Sequence, residues 1–171
     1  AIAKAGQYFA NKAVKQNADP VQRSCQRNFA ILATDGGWTA GGEQRFGGAA
    51  ANYGPFRLDN VTEVGSAQDG GETPRPMRDS GSSTVSSLAD VAAYYYNTDL
   101  RHPDLGNCTG ALGADVCKND VTLDTSVLDG KDDPYKSFGD SAAWQHMTTV
   151  TVGLGVNGLL NYSPAYRTER S

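Results

Sequence analysis

A single α/β domain built on a parallel sheet is predicted by three observations along these 171 residues. Asn28–Thr34 (NFAILAT) is an apolar run without alternation, and His146–Val156 (HMTTVTVGLGV) is a second strand-like run ending in glycines. Residues 2–15 and 86–96 carry a helical period instead. Helix and strand therefore alternate along the chain, and alternation of that kind implies βαβ units around a parallel sheet.

The first helix places Ile2, Ala5, Tyr8, Phe9, Ala13 and Val14 on one stripe, and Gln16–Pro20 ends it. The strand 28–34 is apolar at successive positions, which a parallel sheet covered by helices on both faces demands. It stops at Asp35-Gly36-Gly37. Residues 36–83 hold no sustained period and read as a long inserted loop, functional or disordered. Trp38, Phe46, Tyr53, Phe56 and Met77 within it predict partial packing. The second helix, Ser86–Tyr96, turns Leu88, Val91, Ala92 and Tyr95 to the core, with a Ser or Thr near 82–84 as its cap. Of Tyr94, Tyr95 and Tyr96, two are expected to cover the core. Residues 99–140 form a second inserted loop. The last strand reads as interior, and the tail after Pro164 is polar.

Composition bounds the partners. Hydrophobic residues make up 39%, and there are 20 glycines, so a modest core with glycine-rich loops is expected. The net charge of −4 comes with no basic run, which argues against nucleic acid. No apolar stretch approaches the ~18 residues that a membrane span needs. The chain starts at Ala1 with neither methionine nor leader, so a mature or excised piece is expected. Cys108 and Cys117 lie nine positions apart in a polar loop, which suits a disulfide; three reduced thiols are the alternative. Cys25 is left as a buried thiol or as half of a pair with a segment outside the chain. Neither histidine stands at zinc-ligand spacing from the cysteines.

Chemistry concentrates at Asp35. Ligands of open parallel sheets bind at the carboxyl ends of strands. Asp35 follows such an end, and the glycines after it let the backbone turn away. A carboxylate there suits Mg²⁺ or Ca²⁺, although a strand ending in Asp-Gly is also an ordinary turn. Ser141 with His146 suggests a nucleophile and base, but no nucleophile-elbow motif surrounds either residue, and a structural His146 is the favoured reading. His102, before Pro103, reads as a loop residue. The acids of Asp129-Gly130-Lys131-Asp132-Asp133 and Asp140 lack calcium-loop spacing and read as a solvated turn. Gly153-Leu154-Gly155-Val156-Asn157-Gly158 spells a dinucleotide fingerprint, yet Pro164 cuts off the crossover helix that it requires.

Phe29-Ala30-Ile31-Leu32-Ala33-Thr34-Asp35-Gly36 resembles the fourth strand of a von Willebrand factor type A domain, and Thr149–Gly155 is similar to that fold's next strand. Three blocks resemble the PilC/PilY family of type IV pilus tip proteins: Ser24–Phe29; Ser87–Tyr96 with Asp99-Leu100-Arg101; and Trp144–Met147 leading into Val152–Val156. They fall in the family's order and span roughly residues 2–160.

The resemblance implies an exported protein on the pilus or cell surface. It would be an adhesin or biogenesis factor that senses surfaces and contacts pilin or minor pilin subunits and a host or abiotic surface. It also implies that Asp35 is one acid of a metal-ion-dependent adhesion site. That site further needs a first strand ending in Asp-x-Ser-x-Ser and a loop threonine, and neither is in this sequence. Asp79-Ser80-Gly81-Ser82-Ser83 follows Pro-Arg-Pro-Met-Arg rather than an apolar strand and reads as the loop before the second helix. The expectation is thus a single, incomplete type A-like (Rossmann-like) domain over 1–171 with long loops at 36–83 and 99–140, and no enzyme. A structural pilus-binding module without metal and a secreted hydrolase are the competing readings.

Overall fold

The computed structural model describes residues 1–34, 56–64, 88–123, 140 and 142–154. The elements run α1 (Ile2–Phe9), β1 (Asn28–Thr34), α2 (Leu88–Asn97), a 3₁₀ turn (Pro103–Leu105) and β2 (Met147–Gly153). β1 and β2 pair in parallel, in unbroken register from Asn28 opposite Met147 to Thr34 opposite Gly153. The result is a small α/β unit with a two-stranded parallel sheet.

Both helices pack on the sheet and on each other. The core joins Ile2, Ala3 and Ala10 to Val91, Tyr95, Leu100 and Met147, and Ala30 and Leu32 of β1 pack against it. Leu58 and Val64 come from the 56–64 turn, the described part of the first inserted loop. That turn is pinned to α2. The Tyr95 hydroxyl donates to Phe56 O at 2.6 Å, and the Leu58 N–H donates to the Tyr94 hydroxyl at 3.2 Å. Phe56 is buried, as the expected partial packing requires. Trp38, Phe46, Tyr53 and Met77 lie outside the described residues.

Three expectations are corrected. α1 ends at Phe9 rather than near residue 15, because the chain folds back on itself. Asn11 and Lys15 take positive φ, and the Gln16 side chain bonds Tyr8 O and Ala18 O while accepting from the Ala13 N–H. The buried face of α1 is Ile2, Ala3, Gly6 and Gln7, whereas Tyr8 and Val14 are exposed. Close approach to α2 selects this narrow face: a Cβ on Gly6 would overlap the Tyr95 ring.

On α2, Asp90, Val91, Ala93 and Tyr95 are buried, while Leu88 and Ala92 are half-buried. The third correction concerns the strands. β1 does not bury both faces: its exposure alternates, with Phe29 and Ile31 on the open side. β2 opens the same way at Val150 and Val152. Helices cover the sheet from one side only among the described residues.

Past α2 the chain turns tightly. Asp99 accepts from the Arg101 N–H at 3.0 Å. Burial is the leading cause that raises the Asp99 carboxyl above its ordinary pKa of 3.8, against smaller lowering effects of the Arg101 N–H and His102. A raised native pKa means that the folded state holds a proton the unfolded state has released. Stability therefore falls as pH rises from 3.8 to the native value. Asp99→Asn keeps an acceptor for the Arg101 N–H and removes the buried charge. Its urea midpoint relative to the parent is expected to improve from pH 4 to pH 7; a variant weaker than the parent by the same amount at both would refute the burial cost.

Candidate functional site

The parallel register brings the ends of both strands to one rim. Thr34 closes β1 opposite Gly153, and the Leu154 N–H donates to Thr34 O at 2.7 Å. Asp35, the residue singled out as a metal ligand, lies outside the described residues, as do Ser141 and the acidic turn 129–133. The fingerprint glycines 155 and 158 lie outside them too.

A polar centre holds the opposite end of the sheet. The Asn28 amide donates to Gln145 Oε1 and His146 O, both at 3.0 Å, and Gln145 donates to Ser24 O. Gln145 O in turn accepts from the Leu100 N–H at 2.7 Å. Buried Asn28 and Gln145 thus set where the two strands begin relative to each other. His146 sits beside them, buried. Its Nδ1 lies 2.7 Å from Trp144 O, and its Nε2 lies 2.9 Å from Asp140 Oδ2. The Tyr96 hydroxyl donates to Asp140 Oδ1 at 3.2 Å, and the Tyr96 ring meets the imidazole edge-on at 4.9 Å. One imidazole nitrogen is therefore engaged by Trp144 O and the other by Asp140, which Tyr96 of α2 also bonds. Ser141, the nucleophile weighed with His146, lies outside the described residues.

A second polar centre lies under the α1 C-terminus. The Arg101 guanidinium is fully buried. It forks onto Asp19, with Nη1 2.9 Å from Oδ2 and Nη2 on Oδ1. Its Nε donates to Phe9 O at 2.8 Å, and Nη1 donates to Asn107 O at 3.1 Å. Asn107 extends the centre by donating to Ala10 O and Leu100 O, each at 2.7 Å, and by accepting from the His102 N–H. Lys12 adds a bond from Nζ to Leu105 O. Nothing in the local sequence announced this centre: Arg101 and Asp19 stand 82 positions apart.

Asn107 leads into the disulfide. Cys108 and Cys117 are joined, with Cα atoms 4.9 Å apart. They staple a short antiparallel turn in which Thr109 bridges Asp115 and Gly113 adopts φ 76°. The turn docks on the segment before β1 through the Ala111 N–H to Val21 O at 3.1 Å and through buried Val116. Cys108, Cys117 and Asp115 cluster within reach of a common ion, but both sulfurs are spent in the bond, and Asp115 accepts from the Cys117 N–H. Cys25, expected as a buried thiol or as a partner to an outside segment, is free and exposed. His102 is an exposed loop residue, and its Nδ1 accepts from the Asp104 N–H to open the 3₁₀ turn.

No family model matches the chain, and no solved structure matches it. Among curated proteins, it is 30% identical over 168 residues to the type IV pilus biogenesis factor PilY1 of Pseudomonas aeruginosa (strain UCBPP-PA14). The match takes in 96% of this chain and 12% of that relative, so the chain spans a small part of the protein it resembles. Modest identity along nearly the whole chain supports a PilY1-like relationship for this stretch.

Proposed function

We propose that the chain is a non-catalytic module of a pilus-associated protein at the cell surface, used in pilus biogenesis and in adhesion or surface sensing. Its partners would be pilin or minor pilin subunits and a host or abiotic surface. The similarity to a named pilus biogenesis factor along 96% of the chain carries this reading. The Cys108–Cys117 bond adds to it, since such bonds persist in oxidising compartments outside the cytosol. A type A-like domain remains part of the proposal. The parallel pair and its two helices are compatible with it.

Within that reading Asp35 contributes one carboxylate to a Mg²⁺ or Ca²⁺ site whose other donors come from elsewhere. Hard cations take six or more oxygen ligands, so one carboxylate holds them poorly. The chain by itself is expected to bind neither ion measurably in calorimetry at millimolar concentrations. Tight binding abolished by Asp35→Ala would place a complete site in this chain. The wider proposal is checked by surface binding of the chain to purified pilin and minor pilin subunits, with and without EDTA. Saturable binding is expected. Persistence in EDTA favours the metal-free structural module, and failure to bind any subunit counts against a pilin-contacting role.

A further inference from the structure

A proton count follows from what surrounds His146. A neutral imidazole has one nitrogen that donates and one that accepts. Here Nδ1 meets Trp144 O at 2.7 Å, and Nε2 meets Asp140 Oδ2 at 2.9 Å. A carbonyl only accepts, and so does an ionised carboxylate. Asp140 is held as an acceptor on its other oxygen as well. Oδ1 takes the Tyr96 hydroxyl at 3.2 Å and the Ala142 N–H at 3.1 Å. Bonds of this kind strengthen when the acid is ionised. Both ring bonds are therefore satisfied together by an imidazolium, which carries a proton on each nitrogen.

The surroundings hold the ring in place. The His146 side chain is 2% exposed, and that of Asp140 is 15% exposed. The Tyr96 ring stands against the imidazole at an interplanar angle of 74°. Among the described residues, Asp140 and the Tyr96 phenol are the ionisable groups that meet the imidazole. Charged groups on neighbouring segments are turned elsewhere. Arg27, ahead of β1, donates to Thr122 O at 2.6 Å, the Arg101 guanidinium forks onto Asp19, and Asp99 accepts from the Arg101 N–H. Asp90 is buried earlier on α2, and Lys4 of α1 is exposed.

We infer that His146 and Asp140 form a pH-sensitive clasp that ties the end of the second inserted loop to the start of β2. Histidine changes charge between about pH 5 and 8. When the ring gives one proton to solvent, a lone pair replaces one N–H. If Nδ1 keeps its proton, the lone pair on Nε2 faces the Asp140 carboxylate. If Nε2 keeps it, the lone pair faces Trp144 O. Either way one bond becomes a repulsion between two acceptors. Trp144 O is fixed by the backbone, whereas the Asp140 side chain borders solvent. The Asp140 tie is thus the one that opens, and the Tyr96 and Ala142 bonds to Oδ1 change with it. This inference does not rest on the proposed function.

Isotope-labelled NMR of the full chain tests the clasp, with half-exposed His102 as the internal comparison. At about pH 5 both ring nitrogens of His146 are expected to carry slowly exchanging protons. One is expected to be lost by about pH 8, with the Ala142 amide and the Tyr96 ring resonances shifting in the same step. His146→Gln is expected to abolish that step, and His102→Gln to leave it. A His146 ring with the same number of protons across this range overturns the inference. So does a titration of His146 that leaves Ala142 and Tyr96 unmoved, or a step that persists in His146→Gln. Should that variant not fold, the titrations of the parent and of His102→Gln decide alone.

Discussion

Arg101→Met is expected to destabilise the chain by about 3–5 kcal/mol, the range for breaking a buried ion pair from one side. Methionine fills much of the same volume, so the loss is not chiefly a cavity. It strands the Asp19 carboxylate against a protein wall and leaves Phe9 O and Asn107 O without the donor that serves them. Small domains have about 5–15 kcal/mol in total, so this one side chain accounts for a large share. Urea unfolding of the parent, Arg101→Met, Asp19→Asn and the double variant separates the pair from its surroundings. Asn at position 19 keeps an acceptor for the Val21 N–H, now bonded to Asp19 at 2.9 Å. The double variant is expected to cost less than the sum of the singles. Strict additivity would mean that fork and carboxylate stabilise independently, contrary to the bonds between them.

Replacing Cys108 and Cys117 together by serine is expected to cost about 2–3 kcal/mol, toward the low end for a short closed ring. The loss should appear in the same structural unit as that of Arg101, since Asn107 bonds the guanidinium and immediately precedes Cys108. Freed of the bond, the 108–117 turn is held by Val116, the Ala111 bond to Val21 O and the Thr109–Asp115 bridge. Reduction of the parent in urea should reproduce the serine variant's midpoint. An unchanged midpoint on reduction would show that the turn is fixed by packing alone, and it would remove one support for a location outside the cytosol.

β1 was legible because seven residues of mixed apolar and β-branched character between turn signals leave little else for the chain to form. α2 was legible through Val91 and Tyr95, four apart on one face. Other features were not. An apolar run looks the same whether one or two of its faces are covered, so the bare side of Phe29 and Ile31 had no signature. The face of α1 was less legible because exposed Tyr8 carries more apolar bulk than the buried small residues. The helix buries Ala3 and Gly6, and Gly6 is small enough to let the Tyr95 ring close on it. The candidate site fared differently again. The cysteine pair followed from spacing, whereas the Arg101 and His146 centres gather residues from distant parts of the chain, and no local window holds them together.

The pairing of β1 with β2 also bears on how the chain reaches this state. The Asn28 amide bonds a carbonyl 118 positions away, and each rung of the ladder spans a similar distance. Closing so long a loop has an entropic cost that no local contact offsets, and folding slows as such pairings come to dominate. Helix α1 can form early, but the ladder must wait until residue 147 has been synthesised and delivered. Until then β1 is an unprotected apolar strand, the kind of intermediate that chaperones hold and that unescorted chains aggregate through.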